Sequence, residues 1–123
     1  MNIKKFEDIE SWKQARILTN QIYDLTKTSK LKFDYGLKDQ IQRASVSIMN
    51  NIAEGFDSGS TKAFINFLNY SYRSSSEVQS LLYILLDQKH IDNETFSKLY
   101  NSASEIKKLI GGFIKYLKST TKN

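Results

Sequence analysis

Cysteine and proline are both absent from this chain of 123 residues, histidine occurs once and glycine only five times. Without cysteine there is no disulfide, no thiolate nucleophile and no thiolate-bound metal. Without proline, helices can run long and uninterrupted. The lone His90 sits where a helix should end, a position in which an imidazole interacts favourably with the helix dipole. Metal sites and acid–base relays need partners at defined spacing, and His90 has none in the sequence. Gly111-Gly112 lies inside a helical pattern and lacks the Lys-Ser/Thr sequel of a phosphate loop. It reads as close packing or a bend. The longest apolar run, Leu81-Leu82-Tyr83-Ile84-Leu85-Leu86, falls far short of the roughly 20 residues that span a bilayer. The N-terminus turns acidic at Glu7-Asp8, where an export signal would need its apolar stretch. These absences lead to the expectation of one cytoplasmic domain, residues 1–123, with no catalytic residues, cofactor, metal or membrane span.

What is present is ordinary for a folded protein, with 40% hydrophobic and 25% charged residues. Apolar positions recur at helical spacing in four segments. The first should begin near Asp8 as N-cap and carry Trp12, Ala15, Leu18, Ile22 and Leu25, ending in Lys27-Thr28-Ser29-Lys30. The second should begin near Asp34, carry Leu37, Ile41, Ala44, Ile48 and Ile52, and stop at Gly55 in a left-handed conformation. Ser60 can cap the third, which carries Phe64, Phe67, Leu68, Val78, Leu82, Leu85 and Leu86 with Ser71 and Ser75 on the same stripe, and reaches about His90. The fourth should open at Asp92 and carry Phe96, Leu99, Ala103, Ile106, Ile110, Phe113 and Leu117 before a polar tail, Lys118 to Asn123. Short connections between long helices force antiparallel neighbours. The fold expected is all-α, an antiparallel up-down-up-down four-helix bundle.

The formal net charge is +5, basic enough to consider a polyanionic partner. Up to Asp57 there are nine Lys and Arg against eight Asp and Glu, and from Ser58 onward nine against five, so the excess lies in the second half. On the fourth helix Lys107, Lys108, Lys115, Lys118 and Lys122 project within roughly 100° of one another, with Glu105 pointing away. This stripe is either a solvated face or a phosphate-binding one.

On the second helix Gln40, Arg43, Ser47, Asn51 and Glu54 form a polar stripe beside the apolar one. Arg43 and Glu54 are too far apart to pair, so each needs a partner elsewhere. The stripe is either a nucleic-acid or ligand groove or a polar network between helices or subunits; its mixed charge favours the network, with Arg43 the residue able to touch phosphate. Val46, Met49, Ala53 and Phe56 form a second apolar strip roughly opposite the core, which points to contact with another copy of the chain. Among the aromatics, Phe64, Phe67, Phe96 and Phe113 belong to apolar faces, whereas Tyr70, Tyr72, Tyr83 and Tyr116 suit a boundary.

The string Tyr35-Gly36-Leu37, Gln40, Arg43-Ala44-Ser45-Val46-Ser47-Ile48 and Asn51-Ile52-Ala53-Glu54-Gly55, with Phe6 and Trp12 ahead and Phe64, Phe67, Leu68, Ser75 and Glu77 behind, resembles the bacterial four-helix bundle family encoded within 23S ribosomal RNA intervening sequences. The chain departs from it at Gln42, where the family often has a second basic residue beside Arg43. The resemblance implies the bundle fold and a homo-oligomer, a pentameric barrel. It also implies a distant similarity to the accessory protein of diversity-generating retroelements, which binds nucleic acid and a reverse transcriptase. The expectation is therefore a non-enzymatic homo-oligomer that binds RNA or DNA without reading sequence and recruits a partner protein. The alternative is a structural or protein-interaction bundle that binds no nucleic acid.

Overall fold

In a computed structural model, residues 2–120 are described. They form four long helices, α1 (Glu10–Thr26), α2 (Tyr35–Phe56), α3 (Thr61–Asp87) and α4 (Asn93–Thr120), with single 3-10 turns at Phe6–Asp8 and Ser29–Phe33. Each helix packs on the next and α4 returns against α1, so the four close into a square in which the backbones of the diagonal pairs stay apart among the described residues. This is the all-α four-helix bundle that the four apolar stripes require.

The stripes meet in one core. Leu18 and Ile22 of α1, Ile41, Ile48 and Ile52 of α2, Leu68, Val78, Leu82 and Leu85 of α3, and Ile106 and Ile110 of α4 are fully buried. Burying such side chains is worth about 1.5–3 kcal/mol each relative to exposure. Trp12 lies at the rim, half-buried, its ring edge-on to Phe6 at 5.1 Å between centroids; the sequence had placed it inside the core.

Three of the four helix starts follow from local chemistry. Amide groups of a first turn lack helical partners, and a short oxygen-bearing side chain supplies one. Asp34 accepts from the Leu37 amide at 3.3 Å, Ser60 from Ala63 at 3.1 Å and Asp92 from Thr95 at 2.8 Å. Hydrogen bonds from the Thr95 backbone and side chain hold the Asp92 carboxyl below its ordinary pKa. The first helix departs from expectation. Asp8 turns back to accept from the Lys4 and Lys5 amides at 3.0 and 3.3 Å, which closes the 3-10 turn, so α1 starts at Glu10 with no side-chain cap. The Lys4 amide is the main reason that the Asp8 carboxyl also sits below its ordinary range.

The helix ends hold two corrections. Gly55 is not a left-handed stop: it lies within α2, and the positive φ after that helix belongs to Gly59, at 90°. At the end of α3, Lys89 takes φ 62°, and the Lys89 and His90 amides donate to Leu86 and Leu85 at 3.0 and 2.8 Å. This is the Schellman arrangement, with lysine in the place glycine usually holds. It turns His90 inward. The His90 side chain is only 8% exposed, and its Nε2 lies 3.9 Å from the Asp34 carboxylate, so it braces the α3–α4 turn against the start of α2 instead of capping a helix in solvent.

Candidate nucleic-acid interface

The inward residues Ile106, Ile110 and Phe113 fix which side of α4 faces out. Between Ile106 and Thr120 the sequence holds four lysines and no carboxylate. Lys108, Lys115 and Lys118 are exposed on this side, and neither Lys108 nor Lys115 stands in an ion pair among the described residues. Lys115 and Lys118 border a shallow depression of about 480 Å³ beside Gly111 and Ile114. Lys108 borders a cleft of about 470 Å³ formed with the N-terminal segment, where Asp8 and Glu10 also lie.

The stripe expected of five lysines is shorter in the structure. Lys107 is half-buried: its ammonium donates to Gln79 Oε1 at 3.2 Å and sits 5.0 Å from the centre of the Tyr72 ring. Gln79 in turn donates to Tyr100 O at 3.2 Å and Ser104 Oγ at 2.8 Å. Lys107 thus belongs to the joint between α3 and α4, and a phosphate would have to displace these bonds to reach it. Lys122 lies outside the described residues.

On α2 the polar stripe divides. Arg43 Nε contacts Asp39 Oδ2 at 3.0 Å on the exposed face, one turn away in its own helix. The pairing needs neither a neighbouring helix nor a second subunit, and it leaves Arg43 partly neutralised as a phosphate ligand. Ser47 Oγ meets Ser74 Oγ of α3 at 2.9 Å, and Asn51 Nδ2 donates to Ser47 O and Oγ at 2.8 and 2.9 Å. Ser71 Oγ donates to the Ile48 carbonyl at 2.7 Å. The Ser47–Ser74 and Ser71–Ile48 bonds join α2 to α3, and Asn51 bonds within α2. Gln40 and Glu54 are exposed and stand outside this network.

Of the strip Val46, Met49, Ala53 and Phe56, all four are half-buried within the chain itself. Met49 and Phe56 pack on the core, and Phe56 meets Phe64 edge-on at 6.0 Å. The strip is therefore not a bare face opposite the core, and a charge at Met49 would destabilise the bundle before it tested any interface. Large apolar side chains that do reach the surface lie elsewhere, among them Ile17 on α1, Tyr70, Tyr83 and Ile84 on α3, and Phe33 and Tyr35 at the entry to α2. Helical periodicity gave no reason to single out the last two, because they lie in a connection and a first turn.

Among the described residues there is no cluster of three or more His, Cys, Asp or Glu able to hold a metal ion, and no helix long and apolar enough to cross a membrane. The geometry offers surface charge and exposed rings.

Four antiparallel helices with this apolar register define a class of small bundle proteins, and the comparison with known families narrows it. Residues 7–112 match the family model described as 23S rRNA-intervening sequence protein. The chain belongs to that family. Among solved structures, it is similar to a protein of unknown function from the S23 ribosomal protein family of Bacteroides thetaiotaomicron, with a TM-score of 0.79 and 27% sequence identity over 85% of this chain and 95% of that one. No curated protein matches the chain.

Proposed function

We propose that the protein is a non-enzymatic, cytoplasmic, homo-oligomeric accessory protein that binds RNA or DNA without reading base sequence, through the outward face of α4. The observation that carries this reading is the stretch from Ile106 to Thr120, in which Lys108, Lys115 and Lys118 are exposed and no carboxylate occurs. Ammonium groups on flexible stems hold phosphates as point charges and carry no base specificity. A few lysines make a weak site, but several copies on one assembly raise the effective concentration. The distant relation to the accessory protein of diversity-generating retroelements that the family resemblance implies would extend the proposal to recruitment of a partner protein.

The test is binding of labelled RNA and DNA of unrelated sequences across a salt series. Affinity should be similar for all sequences and fall steeply between about 50 and about 200 mM salt, as counterion release requires. Light scattering should report a particle larger than the 14.2 kDa chain. A monomer at micromolar concentration would remove the oligomer from the proposal. Absence of any binding at low salt would leave the second reading, a protein-interaction bundle, which the exposed Ile17, Tyr83 and Ile84 favour.

A further inference from the structure

Among the described residues the most exposed large apolar side chains are Phe33, 65% exposed, and Tyr35, 69% exposed. They flank Asp34, where the 3-10 turn runs into α2, and Tyr23 of α1 faces the same groove of about 380 Å³. Single exposed rings are normal on protein surfaces. Three around one groove, two of them on either side of Asp34 where the 3-10 turn meets α2, are a patch.

The patch is basic. Lys27, Lys32 and Lys38 line the groove, and since Lys27 pairs with Asp24 the positive charge at the rings is that of Lys32 and Lys38. The Lys32 ammonium lies 5.0 Å from the centre of the Phe33 ring and the Lys38 ammonium 5.2 Å from that of Tyr35. Lys38 also donates to the Lys32 carbonyl at 3.4 Å, which ties the turn to the first turn of α2. The nearby acids are already engaged: Asp34 caps the Leu37 amide and lies beside His90, and Asp24 pairs with Lys27 at 3.8 Å. At the floor Gln42 donates to Thr26 Oγ1 at 2.9 Å, which leaves its carbonyl oxygen available as an acceptor for an amino group.

We propose that this corner is a second binding site, separate from α4, which takes the unpaired bases of single-stranded nucleic acid. Flat apolar rings beside ammonium groups match a ligand that has flat faces and a phosphate at every step. Stacking of bases on aromatic side chains tolerates any sequence, and a cationic groove tracks the backbone. A duplex hides its base faces and can offer this corner only phosphate. The proposal shares its ligand class with the α4 reading but not its site, and it stands whether or not α4 binds.

The experiment compares an unstructured single strand of about 15 nucleotides, a length in the range of single-strand sites, with the duplex of the same sequence. Both are measured by fluorescence anisotropy on the full-length protein at low salt. The double variant Phe33→Ala, Tyr35→Ala changes only exposed side chains, and circular dichroism should report unchanged helix. Its affinity for the single strand should fall about ten- to a hundred-fold, the size of stacking losses, while duplex affinity stays within about two-fold of the unmodified protein. The conservative pair Phe33→Tyr, Tyr35→Phe should keep single-strand binding. Equal losses for both ligands, no loss for either, or no single-strand binding by the unmodified protein would each overturn the proposal. A ring variant that binds normally but shrinks in light scattering would assign the patch to contact between copies. Loss of binding to phosphatidylserine vesicles alone would assign it to a lipid surface. Should Lys108→Gln, Lys115→Gln and Lys118→Gln together weaken both ligands while the ring variant does nothing, the corner falls and the α4 reading survives.

Discussion

Two glycine-bearing stretches of helix sit in opposite surroundings. A Cβ built on Gly55 would lie 2.7 Å from Phe67 Cβ and 2.8 Å from Phe64 Cδ1, whereas at Gly111 and Gly112 it would meet nothing within 4 Å. The first stretch closes the seam between α2 and α3, where Ser47, Ser71 and Ser74 make their short bonds. The second borders the open depression beside Lys115. The most motif-like part of the sequence, from Arg43 to Gly55, therefore serves the fold. The surface that suits a partner has no motif at all, only lysines that the core side chains of α4 turn outward.

The largest effect expected from this contrast is at the seam. Gly55→Ala should destabilise the bundle by about 1–3 kcal/mol, as overpacking does, even though alanine favours a helix interior by up to about 1 kcal/mol over glycine. The clash should win because the Phe67 Cβ belongs to the start of a side chain on α3 and cannot swing away. Denaturant melting that shows a gain would mean that the two helices can separate freely. The opposite sign is expected on α4. Gly111→Ala and Gly112→Ala should each stabilise by about 0.5–1 kcal/mol, since only helix propensity changes there. A loss of that size at either position in the assembled protein would mean that another copy of the chain packs against the glycines.

Much of the fold was legible in the sequence because helix periodicity and caps are local. Asp34, Ser60 and Asp92 were readable as caps, each having its amide partner three residues on. The misplaced cap at Asp8 was a local matter, its carboxylate closing back on the Lys4 and Lys5 amides, but other departures depended on distant residues. A glycine that ends a helix and one that admits a neighbouring phenylalanine look alike along the chain, and only Phe64 and Phe67 distinguish them at Gly55. Lys107 left the basic stripe because Gln79, on another helix, takes its ammonium.

Two features of the candidate surfaces are local in the sequence. Asp39 lies four residues before Arg43, the spacing at which opposite charges meet on a helix, and the pair forms at 3.0 Å. Phe33 ends a connection and Tyr35 opens α2, both among lysines and exposed, where an apolar ring has no core to enter. Periodicity is blind to such residues, since it scores only the faces of helices.

The central claim is that α4, and not the polar stripe of α2, carries nucleic acid without sequence preference. The most direct measurement sets Lys108→Gln, Lys115→Gln and Lys118→Gln combined against Arg43→Gln alone, each titrated with duplex DNA across a salt series. The triple variant should keep its helix content and assembly, bind more weakly to all sequences alike, and lose roughly one unit of salt slope for each phosphate contact removed. Arg43→Gln, already paired with Asp39, should change affinity little. Loss of binding in Arg43→Gln, with full binding and an unchanged slope in the triple lysine variant, would contradict the account and move the site to α2.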